Sequence, residues 1–176
     1  EFTGEAYSHV DVTLANLHDD IMARNVATAT ITGTTMYPTA TVTGVTVPAP
    51  ATITAISSPV VGTVRFTATN TFWVGGKVTL TGITPSNYNL TNQTITAATG
   101  TYFEIANFIT TAYTSGGTAT SGTIRFTANN VFAVNDVVTL TAIVPTSFNL
   151  VDKEIKAVTA TTFDVEDGAT GTYISG

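Results

Sequence analysis

Two stretches of the chain gather groups able to bind a metal or move a proton. His18-Asp19-Asp20, with His9 and Asp11 just upstream, is where imidazoles and carboxylates stand together. On a helix, residues one or two apart point in different directions and chelate poorly, so this cluster reads as the surface end of a short helix. Asp164-Val165-Glu166-Asp167-Gly168 alternates carboxylates at a strand end, whereas the matching stretch sixty residues earlier carries Glu104, Ala106 and Asn107. Calcium needs several oxygens converging from more than one segment. A solvated acidic loop is therefore expected, with no metal site.

Nucleophilic catalysis fares no better. Hydroxyls abound, but there are two histidines, no cysteine and no Gly-x-Ser-x-Gly elbow. Gly75-Gly76-Lys77 and Ser115-Gly116-Gly117-Thr118 lack a following helix whose N-terminus would bind phosphate, and read as turns. No catalytic residue and no cofactor is expected, and the chain reads as non-enzymatic. Trp73, Tyr88 and Tyr113 are the aromatic candidates for stacking on a glycan or meeting a neighbouring subunit. The counterpart of Trp73 in the repeat described below is Ala133.

The scaffold that must hold these residues is legible in the composition. Of 176 residues, 43% are hydrophobic, 10% are charged and 40 are threonine. β-Branched threonine favours strands, and so few charges leave little for long solvated helices. The net charge of −6 and six scattered basic residues disfavour nucleic acid as a partner. No apolar run reaches the length of a membrane span, and no signal-like segment opens the chain, so no membrane partner is expected. The chain begins at Glu1 without Met, which fits a processed protein or a segment of a longer one.

The strongest signal is internal repetition. Gly62-Thr63-Val64-Arg65-Phe66-Thr67-Ala68 recurs as Gly122-Thr123-Ile124-Arg125-Phe126-Thr127-Ala128, and residues 62–116 align with 122–176 without a gap at 26 identities in 55 positions. Phe66/Phe126, Phe72/Phe132, Val78/Val138, Leu80/Leu140, Ile83/Ile143, Ile95/Ile155 and Phe103/Phe163 are apolar in both copies and form the expected core. Alternation of period two predicts strands near 63–68, 77–82, 93–98 and 102–106, with a fifth near 117–120. Gly75-Gly76 and Asn135-Asp136 share a turn that needs positive φ or a side-chain cap. Units of this size suit a small barrel of five or six strands better than an immunoglobulin sandwich. The expected fold is mainly β: two tandem small β-barrel repeats, 61–120 and 121–176, behind an N-terminal arm, 1–60.

Within the arm, Leu14, Leu17 and Ile21 at helical spacing predict a short helix near 13–24. Residues 41–56 then alternate as extended strands, broken by Pro48 and Pro50. Val42, Val45, Val47, Ile53 and Ile56 have no core of their own there. They are expected, with Leu14, Leu17 and Ile21, to anchor the chain on a neighbouring chain or on the first repeat. A third, degenerate barrel over 26–60 is the alternative.

The run Phe72-x-Val74-Gly75-x-x-Val78-x-Leu80-x-Gly82-Ile83-x-Pro85-x-x-Tyr88-Asn89, followed by Ile95-x-Ala97 and Thr101-x-Phe103, resembles a repeat common in tailed-bacteriophage virion proteins. Those repeats are similar to the small β-barrel first catalytic-cysteine half-domain of ubiquitin-activating enzymes. The family usually has Gly-Asp at the first turn and Asn-Gly after the proline loop, where this chain has Gly75-Gly76 and Asn135-Asp136, then Asn89-Leu90 and Asn149-Leu150. The resemblance covers both copies and implies a virion structural protein, with no ubiquitin chemistry. It implies a surface-exposed capsid decoration or head-fibre component, homo-oligomeric with a trimer as first expectation, whose partners are other virion proteins of capsid or tail. A tail-fibre or tail-tip segment, or a carbohydrate-binding adhesin module, are the alternatives.

Overall fold

The computed structural model describes residues 38–176, and period-two alternation is realised along strands such as 63–67 and 77–81. The expected helix near 13–24, with Leu14, Leu17 and Ile21, lies outside the described residues. The strands are β1 (Gly44–Thr46), β2 (Ala51–Thr52), β3 (Ala55–Ser57), β4 (Thr63–Thr67), β5 (Lys77–Thr81), β6 (Gln93–Ala98), β7 (Tyr102–Ala106), β8 (Thr118–Ser121), β9 (Thr123–Thr127), β10 (Val137–Val138), β11 (Lys153–Val158) and β12 (Thr162–Glu166). They form two curled antiparallel sheets, ordered β2-β8-β5-β6-β7-β4-β3 and β1-β9-β12-β11-β10.

Each sheet folds one copy of the repeat. Along β4, Val64 and Phe66 turn inward and are wholly buried, while Arg65 and the flanking threonines face outward. Phe66 lies opposite Phe103 on β7, their rings stacked at 5.1 Å; Phe126 and Phe163 repeat this at 5.3 Å. Tyr88 and Phe148 meet these stacks edge-on. The proline loops also match: Asn89 and Asn149 each accept the amide of Ile83 or Ile143 at 2.8 Å and donate back to its carbonyl, closing the loop with one side chain. At the shared turn Gly75 has φ of +88° and Asn135 +73°, the left-handed conformation the turn chemistry predicts. All the expected core pairs are buried in the first sheet. In the second, Phe132 and Val138 remain half-buried, because β10 has two residues where β5 has five.

The arm is where the structure departs most from a simple tandem. Its strands split between the two sheets. β3 pairs with β4, Ala55-Ile56-Ser57 against Thr67-Phe66-Arg65; β1 pairs with β9, Gly44-Val45-Thr46 against Thr127-Phe126-Arg125. The first repeat is thus inserted between the first strand of the second sheet and the rest of it. A short sequence echo explains the choice: Ala40-Thr41-Val42-Thr43-Gly44-Val45-Thr46 recurs eleven residues later as Ala51-Thr52-Ile53-Thr54-Ala55-Ile56-Ser57. Thr43 donates its amide (2.8 Å) and hydroxyl (3.2 Å) to the Thr127 carbonyl, and Thr54 does the same to Thr67 at 2.9 and 3.2 Å. Val42 and Ile53 plug the two cores, and Tyr173 and Tyr113 donate their hydroxyls to the carbonyls of those same residues.

Truncating the plugs should therefore loosen different sheets. Ile53→Ala should cost about 2–5 kcal/mol and Val42→Ala about 2 kcal/mol. Hydrogen exchange should quicken over 63–106 for Ile53→Ala and over 123–166 for Val42→Ala. Loosening confined to 63–106 in both variants would contradict the crossed pairing.

Candidate functional site

Two of the positions that the sequence singles out for chemistry, Trp73 and Asp164, meet at the junction of the two sheets and build a clamp there; His9, Asp11 and His18-Asp19-Asp20 lie outside the described residues. The register of each sheet sets an arginine on the strand Gly-Thr-x-Arg-Phe-Thr directly across from an acid. Arg65 faces Glu104 and Arg125 faces Asp164. The pairs differ in their surroundings. Arg65 bonds Glu104 at 2.7 Å and lies over the Tyr102 ring, on a partly open surface. Arg125 grips Asp164 with two bonds, Nε to Oδ1 at 2.7 Å and Nη2 to Oδ2 at 2.8 Å. Asp164 is only 3% exposed.

Trp73 of the first repeat completes the second pair. Its indole Nε1–H donates to Asp164 Oδ2 at 3.0 Å, and the Arg125 guanidinium stacks 4.3 Å above its ring. A buried carboxylate is tolerated when its lone pairs are filled and its charge matched, and three donors achieve both here. The bond to Asp164, working against the cost of burial, raises the Arg125 pKa above its ordinary value. Around this centre the chain crosses from one sheet to the other. The Lys77 amide donates to Thr123 Oγ1 (2.8 Å), Gly122 N donates to the Lys77 carbonyl (2.8 Å), and Lys77 Nζ approaches Glu166 at 4.0 Å.

The expectation of a solvated acidic loop at 164–168 is corrected by this geometry. Asp164 is buried by its cross-strand arginine and the indole. Glu166 faces Lys77, and Asp167 pairs with Lys153 at 2.8 Å and caps the Ala169 amide. The carboxylates diverge to separate partners. Among the described residues no group of three or more His, Asp or Glu side chains is placed to share a metal ion. Of the aromatic candidates, Tyr88 is 2% exposed with its hydroxyl on the Thr111 carbonyl, and so has no face to offer a glycan. Tyr113 is half-buried, its hydroxyl on the carbonyls of Ile53 and Gly116, and Trp73 has one face covered by Arg125. Val42, Val45 and Val47 pack on the second core, Ile53 and Ile56 on the first.

Sequence reasoning passed over the arginines, although their identical setting in both copies, each with an acid 39 residues on, is a visible signal. It also passed over an apolar cleft of about 360 Å³ at the end of the first sheet, where Val60, Val61, Phe108 and Ile109 line the opening. Phe108 is 78% exposed and Val61 93%. The second copy has Gly168 and Ser121 at those positions, so the patch belongs to the first repeat alone. Among the described residues no helix is long and apolar enough to cross a membrane.

Comparison with protein families, curated proteins and solved structures finds no match to this chain.

The two arginine pairs give a graded prediction. Asp164→Asn and Trp73→Phe should each destabilise the fold by about 1–3 kcal/mol, because each leaves a buried partner short of a bond. Glu104→Gln should cost less, because the Glu104 side chain is 15% exposed to water where that of Asp164 is 5% exposed, and it has no indole donor to leave unpaired. Urea denaturation of the three variants checks the order, and equal losses for Asp164→Asn and Glu104→Gln would contradict it.

Proposed function

We propose that the protein is a non-enzymatic structural component of a tailed-bacteriophage virion. In this reading its two repeats are tandem small β-barrels displayed on the particle as a capsid decoration or head-fibre protein, and its N-terminal region holds it there. The observation that carries the reading is the lacing of both sheets by one arm, reinforced by the Trp73–Asp164–Arg125 clamp. The buried charge found there is spent on joining the repeats, as suits a stiff spacer. The resemblance of Phe72–Phe103 to virion repeats points the same way, and the exposed apolar patch at Val60, Val61 and Phe108 supplies a contact surface for neighbouring subunits.

The sequence pattern of the two edge-pairing segments stands a third time at Ala29-Thr30-Ile31-Thr32-Gly33, eleven residues before Ala40. In this reading the chain ahead of Pro38, where this pattern stands, makes the contact with a neighbouring virion protein. On this account Thr32→Pro leaves the melting of the sheets unchanged and abolishes incorporation into particles. Quantitative mass spectrometry of purified particles reads both the presence and the copy number of the chain. Copies comparable to the capsid subunit are expected, a few copies per particle would move the protein to the tail, and absence from particles would overturn the proposal.

A further inference from the structure

Both repeats present the same arginine under an aromatic ring, but the two rings come from different places. Tyr102 stands two residues ahead of Glu104 on β7, so the two side chains leave the same face of the strand. Arg65 pairs opposite Glu104, and its guanidinium reaches back along the diagonal to lie 4.1 Å from the centre of the Tyr102 ring. The matching residue on β12 is Thr162, two residues ahead of Asp164. Its hydroxyl meets that of Thr159 at 2.9 Å, and it has no ring to lay on Arg125. The ring that does so, at 4.3 Å, is Trp73 of the first repeat.

The two differences are reciprocal. The first repeat has Trp73 in its loop and Tyr102 on its strand, where the second has Ala133 and Thr162. A guanidinium flanked by its carboxylate still offers a face to an aromatic ring, and cation–π attraction fills it with whichever ring is at hand. A tyrosine two residues from the acid is always at hand, because the strand itself carries it. A threonine there is too short to cover the guanidinium, and the indole then brings a second gain that the phenol does not, its Nε1–H to Asp164 Oδ2 at 3.0 Å.

We infer that the residue at 102 or 162 selects what its repeat is joined to. Threonine leaves the arginine and its acid as the seat for a tryptophan presented by a preceding repeat, whereas tyrosine fills the same seat from within its own strand. Trp73 therefore has Arg125 and not Arg65 as its seat, and the joint forms in one order, first repeat onto second. The selector is independent of the virion reading, since it rests on side-chain contacts alone.

The test uses the full chain, whose single tryptophan makes fluorescence a report on this seat. Thr162→Tyr should displace the indole, so that acrylamide quenches Trp73 more strongly while amide exchange over 163–165 stays slow. Thr162→Val, which keeps a β-branched residue and adds no ring, should leave quenching as in the parent. The midpoint of urea denaturation gives a second reading: Trp73→Phe should lower it in the parent chain and leave it unchanged in the Thr162→Tyr chain, where the indole has already left. Unchanged quenching in Thr162→Tyr would overturn the inference, because both rings would then share Arg125. So would equal quenching in the Thr162→Tyr and Thr162→Val chains, or an equal fall in midpoint from Trp73→Phe in both backgrounds. Loss of slow exchange over 163–165 in Thr162→Tyr would overturn it as well, since Tyr102 occupies that register in the first sheet.

Discussion

Everything in this fold depends on how the outer edge of the Arg-Phe strand in each sheet is covered. β4 and β9 carry the innermost aromatic stack of their cores, and an uncovered edge there would leave a row of backbone donors and acceptors beside Phe66 or Phe126. The arm covers both edges with two versions of one short phrase, each seated by a threonine that gives amide and hydroxyl to the same carbonyl. Because the versions lie in series and the sheets take them in reverse order, the second sheet closes around an inserted first one. The first sheet is one continuous piece of chain, β2 to β8, and the second is not, because β1 lies ahead of it and β9 to β12 behind.

That arrangement gives the clamp its meaning. Two sheets joined only by the arm and the Ser121-Gly122-Thr123 crossing would share few side-chain contacts. The Trp73 indole and the Arg125 guanidinium instead converge on one buried carboxylate, and Lys77 ties the same loop to Thr123 and Glu166. Bidentate geometry with a third donor offsets the cost of desolvating Asp164, which a single bond would not. The half-buried pair Arg65–Glu104 shows the same strand logic without the third partner, and its carboxylate keeps more contact with water, 15% exposed against 5% for Asp164. What reads in the sequence as an acidic cluster is a fastening between repeats.

Much of this was legible before any coordinates. The sixty-residue repeat, its strands, the core pairs from Phe66/Phe126 to Phe103/Phe163 and the positive-φ turn at Gly75 and Asn135 all follow from local alternation and turn chemistry. The destination of Val42 and Val45 did not follow, because pairing with a strand more than eighty residues away leaves no local trace; only the eleven-residue echo records it. Burial of Asp164 was hidden for a similar reason. Its partners lie on another strand and in the other repeat, and the alternation of Asp164, Glu166 and Asp167 looks the same whether the acids face solvent or an arginine. Phe132 and Val138 are half-buried beside a β10 of two residues, a shortening that the apolar pattern they share with Phe72 and Val78 does not announce.

The crossed pairing of the arm is the claim on which the rest stands, and a cysteine-free chain allows a clean test of it. A Cβ placed on Gly44 lies 3.5 Å from the Thr127 Cβ, within the span that a disulfide bridges. The double variant Gly44→Cys/Thr127→Cys should oxidise within one chain, and a peptide map should recover the cross-link joining the arm to the second sheet. A Gly44→Cys chain that instead cross-links readily to Thr67→Cys in the first sheet, or only between chains, would contradict the account.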